Sequence, residues 1–159
     1  MDQLEQELSE DIWTALVKLH ELKQVLHSER HALADQNIDE IHKNIIIKQQ
    51  LFSGLEMCWQ TLNQKFIRLE IDVPLNNKFA SVLKSPRLHD ATKLMLQKLV
   101  DGLRQCESAN NINGSIINLG IKRINSTLNV IFKSRRQTNT YDESGHNVVH
   151  TLSTTSLKV

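Results

Sequence analysis

Three long stretches in which leucine and isoleucine return at steps of three and four constrain this chain more than any other feature. The first runs Leu4, Leu8, Ile12, Ala15, Leu19, Leu22, Leu26 and Leu33, with Glu, Lys and Gln opposite. Steps of that size line up on one face of a helix of 3.6 residues per turn and scatter over both faces of a strand. Trp13, Leu16 and Val25 widen the stripe past a two-stranded seam, so this helix is expected to face two neighbours. The second stripe reads Ile38, Ile41, Ile45, Phe52, Leu55, Trp59, Leu62, Phe66 and Leu69. The third reads Leu88, Met95, Leu99, Cys106, Asn110, Asn113, Ile117, Ile121, Ile124, Leu128 and Ile131. Five glycines and two prolines are too few for the tight turns of an all-β fold. The expected fold is all-α: an elongated, antiparallel, coiled-coil-like three-helix bundle over 1–134, with a long third helix. Helices are expected over 3–34, 38–70 and 86–134, followed by a flexible C-terminal tail over 135–159.

The breaks have local causes. Between the first two stripes lies Ala34-Asp35-Gln36-Asn37, where Asn37 suits a helix N-cap and Glu40 its capping-box partner. A connection that short makes the two helices antiparallel. Residues 72–85, with Pro74 near their start, form the only long connection, and Phe79, Val82 and Leu83 suit one short helical turn over the bundle end. Ser85-Pro86 restarts the chain, serine capping free amides and proline fitting the first helical position.

Length then becomes informative. At about 1.5 Å per residue, the first two helices run roughly 45–50 Å and the third roughly 70 Å. A stripe carrying Ile121, Ile124, Leu128 and Ile131 is left without an intramolecular partner, which invites association. The alternative is that the 72–85 connection folds over it, or that Gly114 or Gly120 bends the helix back onto the bundle. Asn110 and Asn113 also fall on the stripe, where polar residues either specify register or partner, or stand in solvent. Gly114 beside them leaves room for another backbone.

Several function classes are disfavoured. Nineteen Lys and Arg against 18 Asp and Glu give a net charge of +1, so no global field draws nucleic acid or an anionic membrane. Lys122, Arg123, Lys133, Arg135 and Arg136 suit the negative end of a helix dipole and lack the aromatic interleaving of a nucleic-acid surface. His27 and His31 have ligand spacing, but no HExxH and no third ligand accompany them, which points to a solvated face with ion pairs such as those of Glu29. His20, His42 and His89 are scattered. No phosphate loop and no local catalytic arrangement is present, so neither enzyme activity, cofactor nor metal is expected. The acidic start Met1-Asp2-Gln3-Leu4-Glu5 lacks a signal peptide's basic region, and no apolar run approaches the roughly 20 residues that span a bilayer. Cys58 and Cys106 have no CxxC spacing and read as small reduced core residues. A cytoplasmic location is expected.

After Ser134 the periodicity stops, and one island stands out in a polar segment: Thr140-Tyr141-Asp142-Glu143-Ser144-Gly145, with the only tyrosine. Together with Asn110-Asn111-Ile112-Asn113-Gly114, this island resembles the flagellar export chaperone family FlgN, whose members show N-x-x-N-G on a long helix and then a Leu-Tyr-Gly-x-x-Gly-like element. Ser28-Glu29-Arg30-His31-Ala32-Leu33 resembles the family's E-R-x-A-L segment, and Lys48 with Leu51 and Leu55 its lysine and leucine-rich turn. Thr140 stands for the usual leucine and Asp142 for the glycine, so the turn at the tail differs from the family pattern.

The resemblance implies a chaperone that keeps the hook–filament junction proteins FlgK and FlgL soluble and delivers them to the type III export gate. It implies that their C-terminal amphipathic helices bind the C-terminal part of this chain, where Asn110, Asn113 and Gly114 match the motif and Ile117, Ile121, Ile124, Leu128 and Ile131 supply the apolar stripe. It implies that Tyr141, with Gly145, contacts the cytoplasmic domain of the gate protein FlhA, so that the membrane is met only through the gate. The competing expectation is a coiled-coil adaptor that self-associates through the same stripe.

Overall fold

The computed structural model describes residues 3–71 and 80–137. These hold four helices and no strand: α1 (Gln3–Ala34), α2 (Ile38–Arg68), α3 (Ala80–Lys84) and α4 (Asp90–Gln137). The chain divides into two compact units, Met1–Ile117 and Asn118–Val159. Tyr141 and Gly145 of the expected tail, and Pro74 and Phe79 of the long connection, lie outside the described residues.

Side-chain pairings fix the directions within the first unit. Asn44 reaches Ser28 while Lys65, further along α2, lies against Asp11, so α1 and α2 are antiparallel. Ser9 meets Thr92 and Arg30 meets Asn113, both 83 positions apart, so the first part of α4 runs parallel to α1. The result is an up-down-up bundle. Its core is the first stripe as expected, Leu8, Ile12, Ala15, Leu19, Leu22 and Leu26, joined by Leu51, Leu62, Phe66, Leu96, Leu99 and Cys106. At Gly102, α1 and α4 come so close that an added Cβ would lie 2.4 Å from Leu19 Cδ2.

The α1–α2 connection forms as the sequence implies, with one correction. Asn37 caps α2, its side chain accepting from the Glu40 N–H at 3.1 Å. The reciprocal half of a capping box is missing, because the Asn37 N–H is already committed to Ala32 O at 2.9 Å and the Glu40 carboxylate pairs with Lys43. That bond and Gln36 N–H to Leu33 O make a Schellman turn, with Gln36 at φ 55°. The end of α2 repeats the device at Glu70, φ 54°, and folds Ile71 back over Phe66. A side chain in that left-handed region costs about 1 kcal/mol or more, which glycine avoids. Gln36→Gly is therefore expected to raise unfolding free energy by about 0.5–1 kcal/mol, read as a shift of the urea midpoint at constant slope.

α4 begins at Asp90, four residues later than Ser85-Pro86 suggested. Ser85 caps only a local turn, through Arg87 N–H at 3.2 Å. The α4 start is capped from another helix: Glu5 accepts from the His89 N–H at 2.7 Å, from the Thr92 hydroxyl at 3.0 Å, and pairs with the His89 ring Nδ1. Burial pushes the Glu5 carboxyl upward, but the His89 and Thr92 bonds outweigh it and hold it below its ordinary value. A carboxyl depressed in this way stabilises the fold above the ordinary carboxylate range, and that contribution is lost as pH falls through its folded value. Glu5→Gln is expected to cost about 1.5–3 kcal/mol at neutral pH and to flatten the acid limb of the stability profile below about pH 4.3. Urea unfolding of both proteins between pH 3 and 7, with His89 the titratable group facing Glu5, checks this.

Other expectations are corrected. Trp13 is 64% exposed instead of widening the α1 seam, and Ile38 and Phe52 also face outward. α2 instead buries Asn44 and Leu51 against the bundle. Val82 in α3 is fully buried and Leu83 half-buried, as the expected helical turn required. α4 is helical through Gly114 and Gly120, and nothing lies within 4 Å of a Cβ built on either.

Candidate functional site: a buried polar cluster and an exposed apolar helix segment

Glu29 sits on the α1 stripe, four residues beyond Val25 and three beyond Leu26, and is 0% exposed. This corrects the expected solvated face: the ion pair is present, but inside the bundle. Lys48 Nζ on α2 donates to Glu29 Oε1 at 2.6 Å and to Asn110 Oδ1 at 3.3 Å. Asn113 on α4 donates to Glu29 Oε2 at 2.8 Å and to the Leu26 carbonyl at 2.9 Å. Its own Oδ1 accepts from Arg30 Nε at 3.2 Å. Asn113 is thus 1% exposed with both amide hydrogens and its oxygen engaged.

A buried carboxylate is tolerated only where charge and hydrogen bonds replace its water. Here α2 supplies the cation and α4 the amide, so three helices meet at one acid. Glu29-Arg30, Lys48 and Asn110/Asn113 are far apart in sequence, and the fold joins them into one cluster. Asn44 to Ser28, 3.1 Å, extends it along the α1–α2 seam.

The remaining site candidates are placed as follows. Asn110 is half-buried at the cluster, Gly114 is half-buried, and Ile117 stands exposed at the end of the first unit. In the second unit every side chain from Asn118 to Lys133 is exposed except at Gly120. Ile121, Ile124, Leu128 and Ile131 are all in this group, Ile124 at 61%. Leu119, Val130 and Phe132 are exposed as well.

A model of the FlgN protein family matches residues 1–148. The chain belongs to the FlgN family. It is accordingly a flagellar export chaperone in general role, within a family of chaperones that bind flagellar substrate proteins and not a family of enzymes. No curated protein and no solved structure matches the chain. In this FlgN protein no described helix is long and apolar enough to cross a membrane. Among the described residues no three His, Cys, Asp or Glu side chains are grouped to hold a metal, and His27 and His31 face each other, ring centroids 4.5 Å apart. Cys58 and Cys106 are free thiols; Cys106 is buried against the Leu19 carbonyl, and burial raises its pKa.

Sequence reasoning missed Glu5 and Glu29 as buried acids. The available signal for Glu29 was its place on the α1 stripe together with polar Asn110 and Asn113 on the α4 stripe, since polar groups in two facing seams need each other.

Proposed function

We propose that this FlgN protein works in the cytoplasm, without enzyme activity or cofactor, as a chaperone for the hook–filament junction proteins FlgK and FlgL. It binds their C-terminal amphipathic helices, prevents their premature association and delivers them to the export gate. The observation that carries this is the exposed run Ile121, Ile124, Leu128 and Ile131, spaced for an apolar client helix, in a chain of the FlgN family. Ile117 and Gly114 offer further contacts, and Asn110 and Asn113 serve by holding the polar cluster of the first unit. Tyr141, with Gly145, is assigned to the cytoplasmic domain of FlhA, on the family resemblance alone.

The test is co-purification of the full chain with the C-terminal segments of FlgK and FlgL, with mass determination in solution. A complex of defined stoichiometry is expected. A stable oligomer that ignores both segments would instead mark the chain as a self-associating adaptor. Tyr141→Ala is expected to weaken binding to the FlhA cytoplasmic domain at least tenfold and leave client affinity unchanged; joint loss of both would show that the two contacts are not separate.

A further inference from the structure

The net charge of +1 conceals a strong asymmetry. No acidic residue occurs between Glu107 and Asp142, while Lys122, Arg123, Lys133, Arg135 and Arg136 all fall there. The chain's charge therefore divides into +5 in this segment and −4 elsewhere. Within the second unit, Lys122, Arg123 and Lys133 are exposed, as are Ile121, Ile124 and Leu128. At 3.6 residues per turn the three cations lie roughly 130–150° around the helix from the line through those three apolar residues. Lys122, Arg123 and Lys133 thus lie on the side away from Ile121, Ile124 and Leu128, a side that Leu119 and Val130 share.

We propose that the α4 segment from Asn118 onward is an interfacial helix that binds the surface of an anionic lipid bilayer, lying in its plane with Ile121, Ile124 and Leu128 toward the acyl boundary. Bulky apolar residues on one side and Lys and Arg on the other are the physical requirements of that mode. The segment is far too polar to span the bilayer, in keeping with α4 as a whole. The edges of the apolar face favour a lipid surface over an acidic protein helix. From Asn118 to Lys133 they carry Asn118, Asn125, Asn129 and Thr127, all uncharged, so a helix lying along that stretch of the seam would find no cation positioned to pair with it. A fluid anionic surface needs no such pairing: it attracts net positive charge within a Debye length of about 10 Å. Since the same apolar face is assigned above to the client helix, lipid and client should exclude one another. That consequence rests on the client reading, whereas lipid binding is measured with no client present.

The experiment is flotation of the full chain with vesicles of phosphatidylglycerol and phosphatidylethanolamine, against vesicles of phosphatidylcholine alone, over a range of salt. Binding to the anionic vesicles only, weakening as salt rises, is expected. Lys122→Glu/Arg123→Glu/Lys133→Glu should weaken it roughly a hundredfold or more, and the corresponding triple glutamine variant by less, with helix content by circular dichroism unchanged in both. Absence of binding to anionic vesicles, equal binding to neutral ones, or undiminished binding by the glutamate variant would overturn the proposal. Salt-sensitive binding to poly-L-glutamate by a protein that ignores the vesicles would overturn it in favour of an acidic polypeptide partner.

Discussion

Lys48→Met should lower the unfolding free energy of this FlgN protein by about 3–5 kcal/mol, a large share of what a domain of this size possesses. The side chain removed is 17% exposed and its partner Glu29 0%, so the loss leaves a charged carboxylate inside the bundle with Asn113 as its remaining side-chain partner. Methionine keeps the straight apolar stem and the helix propensity, which confines the change to the charge. Urea unfolding at pH 7 provides the measurement. A second variant separates the pair from its surroundings: Glu29→Met/Lys48→Met removes both charges and should recover most of the loss, because buried ion pairs replaced by apolar groups are often neutral or stabilising. A coupling free energy near zero in the resulting double-mutant cycle would mean that the two residues act independently and that the cluster does not hold the helices together.

The second large effect is expected in binding. Ile124→Glu with Leu128→Glu places two carboxylates where the proposed client helix would bury its apolar face. Each loses about 1.5–3 kcal/mol of apolar burial, so together client affinity should fall at least about a hundredfold. Both residues are exposed in the free protein, 61% and 43%, and glutamate is a good helix former, so stability should change by no more than about 0.5 kcal/mol. Calorimetric titration with a junction-protein C-terminal peptide, beside a circular dichroism spectrum, gives both quantities. Affinity unchanged in a folded variant would remove this segment from the client site.

The combination of a bundle pinned at Glu29 and an exposed helical segment from Asn118 suits a chaperone. Exposed isoleucine and leucine, which the proposed client site requires, add little to stability, so stability must come from elsewhere. The first unit supplies it through a continuous Leu/Ile/Phe core, two Schellman turns and the Glu5 cap on α4.

The sequence alone determined the helices. Apolar residues at steps of three and four, the asparagine cap at Asn37 and the long connection from 72 to 85 are local signals, because helix formation and capping involve groups within a few residues of one another. The exposed run near the end of α4 was legible for the same reason, through simple comparison of helix lengths. What the tertiary structure alone decided is the fate of the polar groups. Whether Glu29 lies in water or in the core depends on a lysine 19 residues away and an asparagine 84 residues away, which no local pattern links. Glu5 likewise sets the first turn of α4 from the far end of the chain, and Trp13, on a helix whose apolar pattern seemed to include it, is 64% exposed. Apolar burial needs only a face of the right period, but burial of a charge needs one particular partner, and only the fold brings that partner within reach.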